Sequence, residues 1–443
     1  MFCDYDRPDY RVYLYLCNIK LRIRMKRLKQ GIALVIVVAL GAWVASRWHT
    51  WFVEEDEETY VPSMTPAHVL LTFGDAEPLS RNVSWQADTV VRPSWLELAC
   101  LSDSDTVRVE AAGEVFRSRG GLAAYYVARL RDLKAATAYA YRAVTNGKAS
   151  PWYQFQTQQG GSDKVSFLYV GDVQDSIGGE TNRILRAALQ RHPLCEFLVC
   201  GGDFVDGPMH SWWDEGFRNI DSVAQAMPML AVTGNHDYRK GVIQRLERRF
   251  SLTFSYFLDS MIGENQVYTL SYGPAQFFLL DSNRELPYLL TQRSWLKTQL
   301  QQSRARWKIV VLHHPLFSIR SASRNLIQRW VFNSLLEDYG VDLVLQAHEH
   351  NYARMTAHED GMATTPVYTV SHCSPKNYDL YQNERYDRFG TESRYYQTID
   401  LSGDTLTMAA YEAYHHTLYD SLQVVKGNAQ VQRVVINDFF PEK

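Results

Sequence analysis

The segment LAVTGNHD, residues 230–237, places an apolar run directly before a Gly-Asn-His-Asp turn. Four other short motifs follow strand-like apolar runs in the same way. In chain order the five are Gly171-Asp172, Gly202-Asp203, Gly234-Asn235-His236-Asp237, His313 within VVLHHP, and His348-Glu349-His350. Between residues 163 and 430 such runs alternate with longer helical patterns, which predicts a layered α/β domain. Loops at the strand ends of these folds converge at one edge, so we expect the motifs to meet there.

The five motifs supply carboxylate and amide oxygens and imidazole nitrogens, but no thiolate. This set of donors suits a pair of hard or borderline divalent cations. Taken singly, each motif has an ordinary alternative, a tight turn or an unrelated histidine at a strand end, and the ordered set favours the metal site. A two-metal centre can polarise a phosphoryl group, generate hydroxide near neutral pH and stabilise the leaving oxygen. The residues therefore indicate hydrolysis of a phosphate ester.

Residues 60–158 have a different pattern of apolar and polar residues. Short alternating segments such as His68–Phe73 and Asn82–Gln86 are separated by turn residues. This spacing predicts an all-β sandwich of the fibronectin-III or immunoglobulin-like kind. The polar, glycine-containing stretch at residues 158–163 is typical of a linker.

The N-terminal region carries a targeting pattern. An uncharged run, Gly31–Ser46, follows five basic residues and precedes an acidic cluster at Glu54–Glu58. This asymmetry predicts that the remainder of the chain is exported to the periplasm, the cell envelope or the exterior. Residues 25–50 are expected to be a signal peptide or a membrane anchor, and both alternatives stay open. Because Met25, followed by Lys-Arg, resembles a natural start, residues 1–24 are expected to be an over-called leader that lies before the natural first residue.

Composition excludes several classes of protein. The 443 residues contain 46 basic and 49 acidic side chains, for a formal charge of −3, so no basic field points to a nucleic-acid partner. The six cysteines show no paired spacing, which argues against a zinc finger or a disulfide framework. A Cys195–Cys200 bridge stays open. No feature of the sequence indicates an oligomeric state.

The ordered motifs resemble the pattern GD, GD, GNH, H and GHxH of the calcineurin-like metallophosphoesterases. PAHVLLTF at 66–73 and NVSW at 82–85 resemble the opening strands of the purple acid phosphatase N-terminal domain. VDLVLQAHEHNYAR at 341–354 resembles the GHxHxYER segment of the same family. The resemblance spans about residues 65–425. It implies a β-sandwich at 60–158 followed by a four-layer α/β/β/α metallophosphoesterase domain at 163–430.

The resemblance also implies roles for individual residues. It assigns Asp172, Asp203 and His350 to one metal, and Asp203, Asn235, His313 and His348 to the other, so that Asp203 bridges them. His236 would hydrogen-bond the substrate phosphate or the leaving group, which makes Asp203, Asn235 and His236 the predicted catalytic residues. Pro315 favours His313 over His314 as the ligand. The implied cofactor is two ions of iron, zinc or manganese, and the implied activity is that of an acid phosphatase-like phosphomonoesterase.

Three positions depart from the family pattern. Asp206 stands where the purple enzymes carry the tyrosine that binds ferric iron and gives them their colour. Gln174 stands where many non-purple relatives carry a metal-binding histidine, so the first metal would have fewer protein ligands unless Gln174 or Asp206 contributes. Ala347 replaces the glycine of GHxH. The identity of the metals is therefore open.

Two alternative functions remain. The same site would serve a phosphodiesterase or nucleotidase if the pocket has a different shape. The segment Ser318–Asn325, with Arg320 and Arg324, is either a source of phosphate-binding charge or a solvated loop. The other alternative is a surface binding protein with a vestigial metallo-domain, which the positions Asp206 and Gln174 favour.

Overall fold

The computed structural model describes residues 8–53, 56–75, 79–102, 105–159, 162–175, 179–241, 244–258, 261–359, 362–381, 385–390, 392–427 and 432–436. The chain forms two compact units. One comprises Met1–Glu55 with Lys240–Ile243, and the other comprises Asp56–Arg239 with Gln244–Lys443.

The first unit contains helix α1, Pro8–Phe52. Its segment Ile19–His49 is long and apolar enough to cross a membrane, a property that a signal sequence near an N-terminus shares. The helix is longer at both ends than the apolar run Gly31–Ser46, because the basic residues before that run are good helix formers. Glu54 and Glu55 of the predicted acidic flank lie outside the described residues.

The second unit begins with a β-rich region. Its strands are β1 Ala67–Phe73, β2 Arg81–Gln86, β3 Ser94–Cys100, β4 Thr106–Arg117, β5 Leu122–Leu130, β6 Ala138–Thr145, β7 Lys148–Ala149 and β8 Tyr153–Gln156. Strand β4 pairs with β3 through its first half and with β5 through its second half. A shared cluster of buried side chains, among them Trp85, Leu96, Tyr126 and Tyr141, fills the space between the strands.

Strand β1 joins this region to the rest of the unit. It pairs antiparallel with β2 and parallel with β11, through Thr72 and Met229. The hydrogen-bonded sheet therefore continues from one region into the next. The domain limits at 60–158 and 163–430 stay a prediction.

The remaining strands complete this sheet and build a second one. They are β9 Lys164–Val170, β10 Phe197–Cys200, β11 Met229–Ala231, β12 Tyr238–Arg239, β13 Arg245–Leu246, β14 Met261–Ile262, β15 Val267–Tyr272, β16 Ala275–Leu280, β17 Trp307–Leu312, β18 Leu343–Gln346, β19 Ala353–Glu359, β20 Met362–Val370, β21 Arg388–Phe389, β22 Tyr395–Ser402, β23 Thr405–Glu412, β24 Thr417–Lys426 and β25 Gln432–Ile436. The first sheet runs β25-β24-β23-β22-β9-β10-β11-β1 and continues into β2, and the second runs β14-β15-β16-β17-β18-β20-β19-β21. Strands β12 and β13 pair only with each other, in a separate two-stranded sheet.

Helices cover these sheets, and the sheets face each other. The helices are α2 Glu180–Arg191, α3 His210–Asn219, α4 Val223–Ala226, α5 Arg248–Thr253, α6 Leu286–Gln302 and α7 Leu326–Asp338. Phe167 and Phe197 of the first sheet contact Phe277 of the second, with ring centroids 5.3 and 5.6 Å apart. Helices α6 and α7 pack on the other face of the second sheet, where a separate apolar cluster forms. The apolar strands are therefore covered on both faces, as their continuous hydrophobic runs require.

Glu57 shows that part of the acidic flank is structural. Its side chain is buried and its carboxylate accepts hydrogen bonds from the backbone of Gly120 and His210, at 2.9 Å each. The Arg249 guanidinium pairs with it at 2.5 Å. Glu57 thus ties the start of the unit to the β-rich region and to helix α3.

The described cysteines are free. Cys195 and Cys200 are both buried thiols, so the bridge left open by the sequence is absent from this structure. Burial raises the pKa of Cys195 to about 11. That thiol stays protonated at neutral pH and packs as a small apolar side chain.

Candidate metal centre

The five motifs lie at the carboxyl ends of parallel strands. Strands β9, β10 and β11 are parallel neighbours in the first sheet, and β17 and β18 are parallel neighbours in the second. Asp172, Asp203, Asn235, His313 and His348 each follow one of these strands within a few residues. Because the two sheets pack face to face, their strand ends open onto one site.

Two glycines allow the loops to approach each other. A Cβ atom on Gly234 would lie 2.0 Å from the backbone nitrogen and the Oδ1 atom of Asp203. Gly202 has a φ angle of +98°, and a Cβ atom there would lie 2.7 Å from the His313 Nδ1 atom. Any side chain at either position would push the loops apart, so the Gly-Asp and Gly-Asn-His motifs need their glycines.

Four predicted ligands adopt a left-handed backbone conformation. The φ angles are +47° at Asp172, +50° at Asp203, +71° at His348 and +44° at His350. This conformation is unfavourable for residues with a side chain, and it concentrates at functional sites. The turns aim these side chains toward one another at the cost of local strain.

The side chains form two groups of ligand atoms that share Asp203. Asp203, His313 and His348 make one group, and Asp172, Asp203 and His350 make the other; within each group the ligand atoms lie within 4.8 Å of one another. The Asn235 Oδ1 atom lies 3.2 Å from the His313 Nε2 atom and joins the first group. The structure thus brings together all six predicted metal-ligating residues.

Hydrogen bonds to the protein orient the histidines. The His313 Nδ1 atom lies 2.9 Å from the Gly201 carbonyl oxygen, which can only accept, so Nδ1 carries the proton. The Nε2 atom then faces Asp203, whose Oδ2 atom is 3.3 Å away. A carbonyl partner of this kind holds many metal-binding histidines in place.

The carboxylates have strongly perturbed acidities. Burial, reinforced by the charge of neighbouring Asp203, raises the pKa of Asp172 well above its usual range. Burial would also raise the pKa of Asp203, but the facing His313 and His236 imidazoles outweigh it and hold that pKa well below the usual range. Two anions side by side in a buried site are costly without cations nearby.

The pKa values of the histidines are also shifted, by burial and by the neighbouring carboxylates. Burial would lower the pKa of His313, but the carboxylate of Asp203 raises it to about 9. Burial lowers the pKa of His350 to about 4, and it lowers that of His348 well below the usual value. His348 and His350 are therefore neutral at physiological pH, which is the form that binds a metal ion.

His236 and His314, the other two histidines weighed from the sequence, face other partners. The His236 backbone amide donates to the Asp203 Oδ1 atom at 2.9 Å, and its Nδ1 atom lies 2.8 Å from the Asp206 carbonyl oxygen. The His314 Nδ1 atom instead lies 3.0 Å from the Ser282 hydroxyl. Loss of hydration and the charge of His313 lower the pKa of His314 to about 3.

Asp206 and Gln174, two of the departures, have distinct environments. The Asp206 carboxylate pairs with Lys376, whose Nζ atom lies 2.7 and 3.0 Å from its two oxygens. The Gln174 side chain is buried, and neither its oxygen nor its nitrogen has a hydrogen-bond partner among the described residues. Asp206 therefore has a protein cation as its partner, whereas the Gln174 amide remains an available donor atom.

Sequence reasoning missed the segment that follows β20. This strand is parallel to β18, so its carboxyl end opens onto the same edge. Lys376 and Tyr378 lie a few residues beyond it, and the Tyr378 ring packs on the His350 ring with centroids 4.7 Å apart. A signal for this segment exists in the sequence, because Val367–Ser371 is a strand-like run of the kind that precedes the five motifs.

Replacing Gly234 by alanine tests the close approach of the loops. The added methyl group meets the backbone and carboxylate of Asp203, so Gly234→Ala should displace the shared carboxylate. We expect lower metal content and a loss of activity of about 100-fold, the scale of a small misplacement of reacting groups. Gly427→Ala is the matched control, since nothing lies within 4 Å of a Cβ atom there. Equal metal content in both variants would contradict the assignment.

Comparison with known families agrees with this geometry. The model of the calcineurin-like phosphoesterases matches residues 165–352, and the model of the purple acid phosphatase N-terminal domain matches residues 66–157. Among curated relatives, acid phosphatase type 7 of Homo sapiens is 28% identical over 66% of this chain and 72% of its own length. Purple acid phosphatase 17 of Arabidopsis thaliana is 27% identical over 48% of this chain and 69% of its own length.

Two solved structures share the fold. A purple acid phosphatase from yellow lupin seeds (Lupinus luteus) superposes with a TM-score of 0.68 at 16% identity, covering 82% of this chain and 75% of its own. PhoD superposes with a TM-score of 0.58 at 14% identity, covering 86% and 93%. Together, the two family models, the acid phosphatase relatives and the shared fold support a purple acid phosphatase-like member of the calcineurin-like phosphoesterases.

Proposed function

We propose that the protein is an acid phosphatase-like phosphomonoesterase that binds two divalent cations at this site. Metal-dependent hydrolysis of phosphate esters is the activity of its family, and the monoester preference is our own inference. The observation that carries the proposal of a two-cation site is the sharing of Asp203 between two groups of ligand atoms. Asp172, Asp203 and His350 would hold one ion, and Asp203, Asn235, His313 and His348 the other.

The residues present fit such ions. The Asp172 Oδ1 atom is buried and has no hydrogen-bond partner among the described residues. The His348 Nδ1 atom lies 3.2 Å from the His313 Nε2 atom, and the bond from His313 Nδ1 to a carbonyl leaves Nε2 as the nitrogen that a cation would bind. A cation near these atoms would satisfy both the buried oxygen and the paired nitrogens.

His236 is placed to act on the substrate. When bound, the two cations supply charge that polarises the phosphoryl group and activates water. The Asp206 carbonyl can only accept, so His236 keeps a proton on Nδ1 and its Nε2 atom is left to face the substrate. Protonated Nε2 would donate a hydrogen bond to a phosphate oxygen or to the leaving oxygen.

We also propose a fibronectin-III-like sandwich for the β-rich region and a four-layer arrangement for the catalytic region. Strand β4 is shared between two layers, and one apolar cluster fills the space between them, as in a fibronectin-III-like sandwich. Facing sheets with α6 and α7 outside support the four-layer α/β/β/α arrangement. The β-rich region would then brace the catalytic one through strand β1.

Turnover of a chromogenic phosphomonoester beside a matched diester tests the function. Asp203→Ala should lose bound metal and nearly all hydrolysis, because two cations would lose their shared carboxylate. Asp105→Ala, which removes an exposed carboxylate of the β-rich region, is the control and should keep both. Faster hydrolysis of the diester than of the monoester would establish the phosphodiesterase alternative. No turnover of either ester by metal-loaded protein would favour the binding protein.

The ion pair of Asp206 and Lys376 leads to a prediction about colour. The purple enzymes owe their absorption to charge transfer from tyrosinate to ferric iron, and here a carboxylate tied to an ammonium group takes that position. We expect the active protein to be colourless, and we expect chelation to abolish an activity that divalent zinc, manganese or iron restores. Visible absorption that tracks activity and stoichiometric iron would overturn this prediction.

The N-terminal helix supports a location outside the cytoplasm. We propose that α1 is a signal segment or an anchor, with its basic end inside. Protease added after permeabilisation of the outer envelope should cleave beyond residue 60, and a cytoplasmic control protein should stay intact. Protection of both until lysis would refute the orientation.

A further inference from the structure

The loop that carries Arg320 is fixed to the metal-binding loop by Glu349. This carboxylate lies between His348 and His350 in the chain and is fully buried. It accepts hydrogen bonds from the Ser318 hydroxyl at 2.5 Å and from the Ile319 backbone amide at 2.6 Å. The position of Arg320 is therefore coupled to the position of the two histidines.

Tyr378 completes the connection between Arg320 and the site. Its ring packs on the His350 ring, and its carbonyl oxygen accepts from the Asn351 side chain at 3.2 Å. The Arg320 guanidinium carbon lies 3.9 Å from the centre of the Tyr378 ring. The guanidinium is thus two ring contacts away from the predicted ligand His350.

Arg320 differs from the other cation on this side of the site. The Lys376 ammonium group is neutralised by Asp206. Among the residues that the structure describes, no carboxylate forms an ion pair with the Arg320 guanidinium, whose charge reaches the buried Glu349 carboxylate only from beyond ion-pair distance, and Arg320 is half-buried. Stacking on Tyr378 orients this group while its donors remain available to an anion.

We propose that Arg320, stacked on Tyr378, forms a subsite for a second phosphoryl group carried by the leaving group of the substrate. This inference rests on the proposed function, because the scissile phosphate occupies the metal site. A guanidinium binds phosphate through two parallel hydrogen bonds, which a neutral leaving group would not require. The substrate class is that of phosphoric anhydrides and bisphosphorylated esters.

The reaction at such a substrate is ordinary hydrolysis. For adenosine diphosphate, water adds to the terminal phosphorus, and the bond from that phosphorus to the bridging oxygen breaks. Adenosine monophosphate leaves with the bridging oxygen, and inorganic phosphate is released. The phosphoryl group of the departing monophosphate is the one that Arg320 would bind.

The ratio of kcat/KM for adenosine diphosphate to that for adenosine monophosphate tests the subsite, since intrinsic reactivity cancels between variants. Arg320→Gln should lower this ratio about 10- to 100-fold, the loss expected for a charge-assisted hydrogen bond. Arg324→Gln is the matched control, because that arginine lies exposed in the same loop. An equal loss for both substrates in Arg320→Gln would overturn the proposal.

Tyr378 provides a second test of the same geometry. Tyr378→Phe keeps the ring and should keep the ratio, whereas Tyr378→Leu removes the stacking surface and should lower it as Arg320→Gln does. Metal content is measured in each variant, because Tyr378 also contacts His350. An unchanged ratio in Tyr378→Leu with full metal content would show that the stack does not position Arg320.

A binding measurement shows whether the subsite or the proposed function is wrong. Calorimetric titration of metal-loaded protein with inorganic pyrophosphate and with phosphate requires no turnover. We expect tighter binding of pyrophosphate, and we expect Arg320→Gln to remove the difference. If neither nucleotide is hydrolysed but this difference is present, the subsite stands and the enzymatic proposal fails. Equal affinities in the wild type would refute the subsite.

Discussion

Two carboxylates buried beside each other set the conditions for this site. Asp172 and Asp203 are almost completely removed from water, and each would be expensive to ionise alone. The protein meets part of that cost with imidazoles, since His313 faces Asp203 at 3.3 Å and His350 faces Asp172 at 3.6 Å. One Asp172 oxygen still lacks a hydrogen-bond partner among the described residues. The arrangement is more favourable with cations than without them.

The fold supports this arrangement through backbone geometry. Parallel strands in two facing sheets deliver their carboxyl ends to one place, and glycines at 202 and 234 allow the loops to touch. Left-handed turns at both aspartates and at two histidines then aim the ligands inward. Such strained turns persist only when the surrounding structure is rigid. The aromatic contacts between the sheets contribute to that rigidity.

Around the predicted metal-binding residues, the charged groups differ from those of the purple enzymes. A phenolate ligand is replaced by Asp206, which is paired with Lys376, while its backbone carbonyl orients His236. One residue thus links a surface cation to the histidine that is predicted to face the substrate. Next to His350, Glu349 and Tyr378 hold Arg320 close to the site. These contacts join three segments that are far apart in the chain.

The sequence by itself determined the coarse fold, a β-rich N-terminal region followed by a metallophosphoesterase domain, and it determined the five motifs, because strand-end glycines with aspartate, asparagine and histidine leave few other interpretations. It also predicted His313 rather than His314 as a ligand, which stays a prediction, and the two side chains contact different partners, Gly201 and Ser282. Local pattern sufficed for these features, since each depends on residues adjacent in the chain.

Only the tertiary structure decided the partners of Asp206, which departs from the family pattern, and of Glu57. Nothing near Asp206 in the sequence indicates Lys376, which is 170 residues away, and nothing near Glu57 indicates Arg249. The acidic flank was interpreted as a topogenic charge, whereas one of its members is a buried structural carboxylate. Such pairings depend on which loops the two sheets bring together, and hydrophobic periodicity within a single segment carries no information about that.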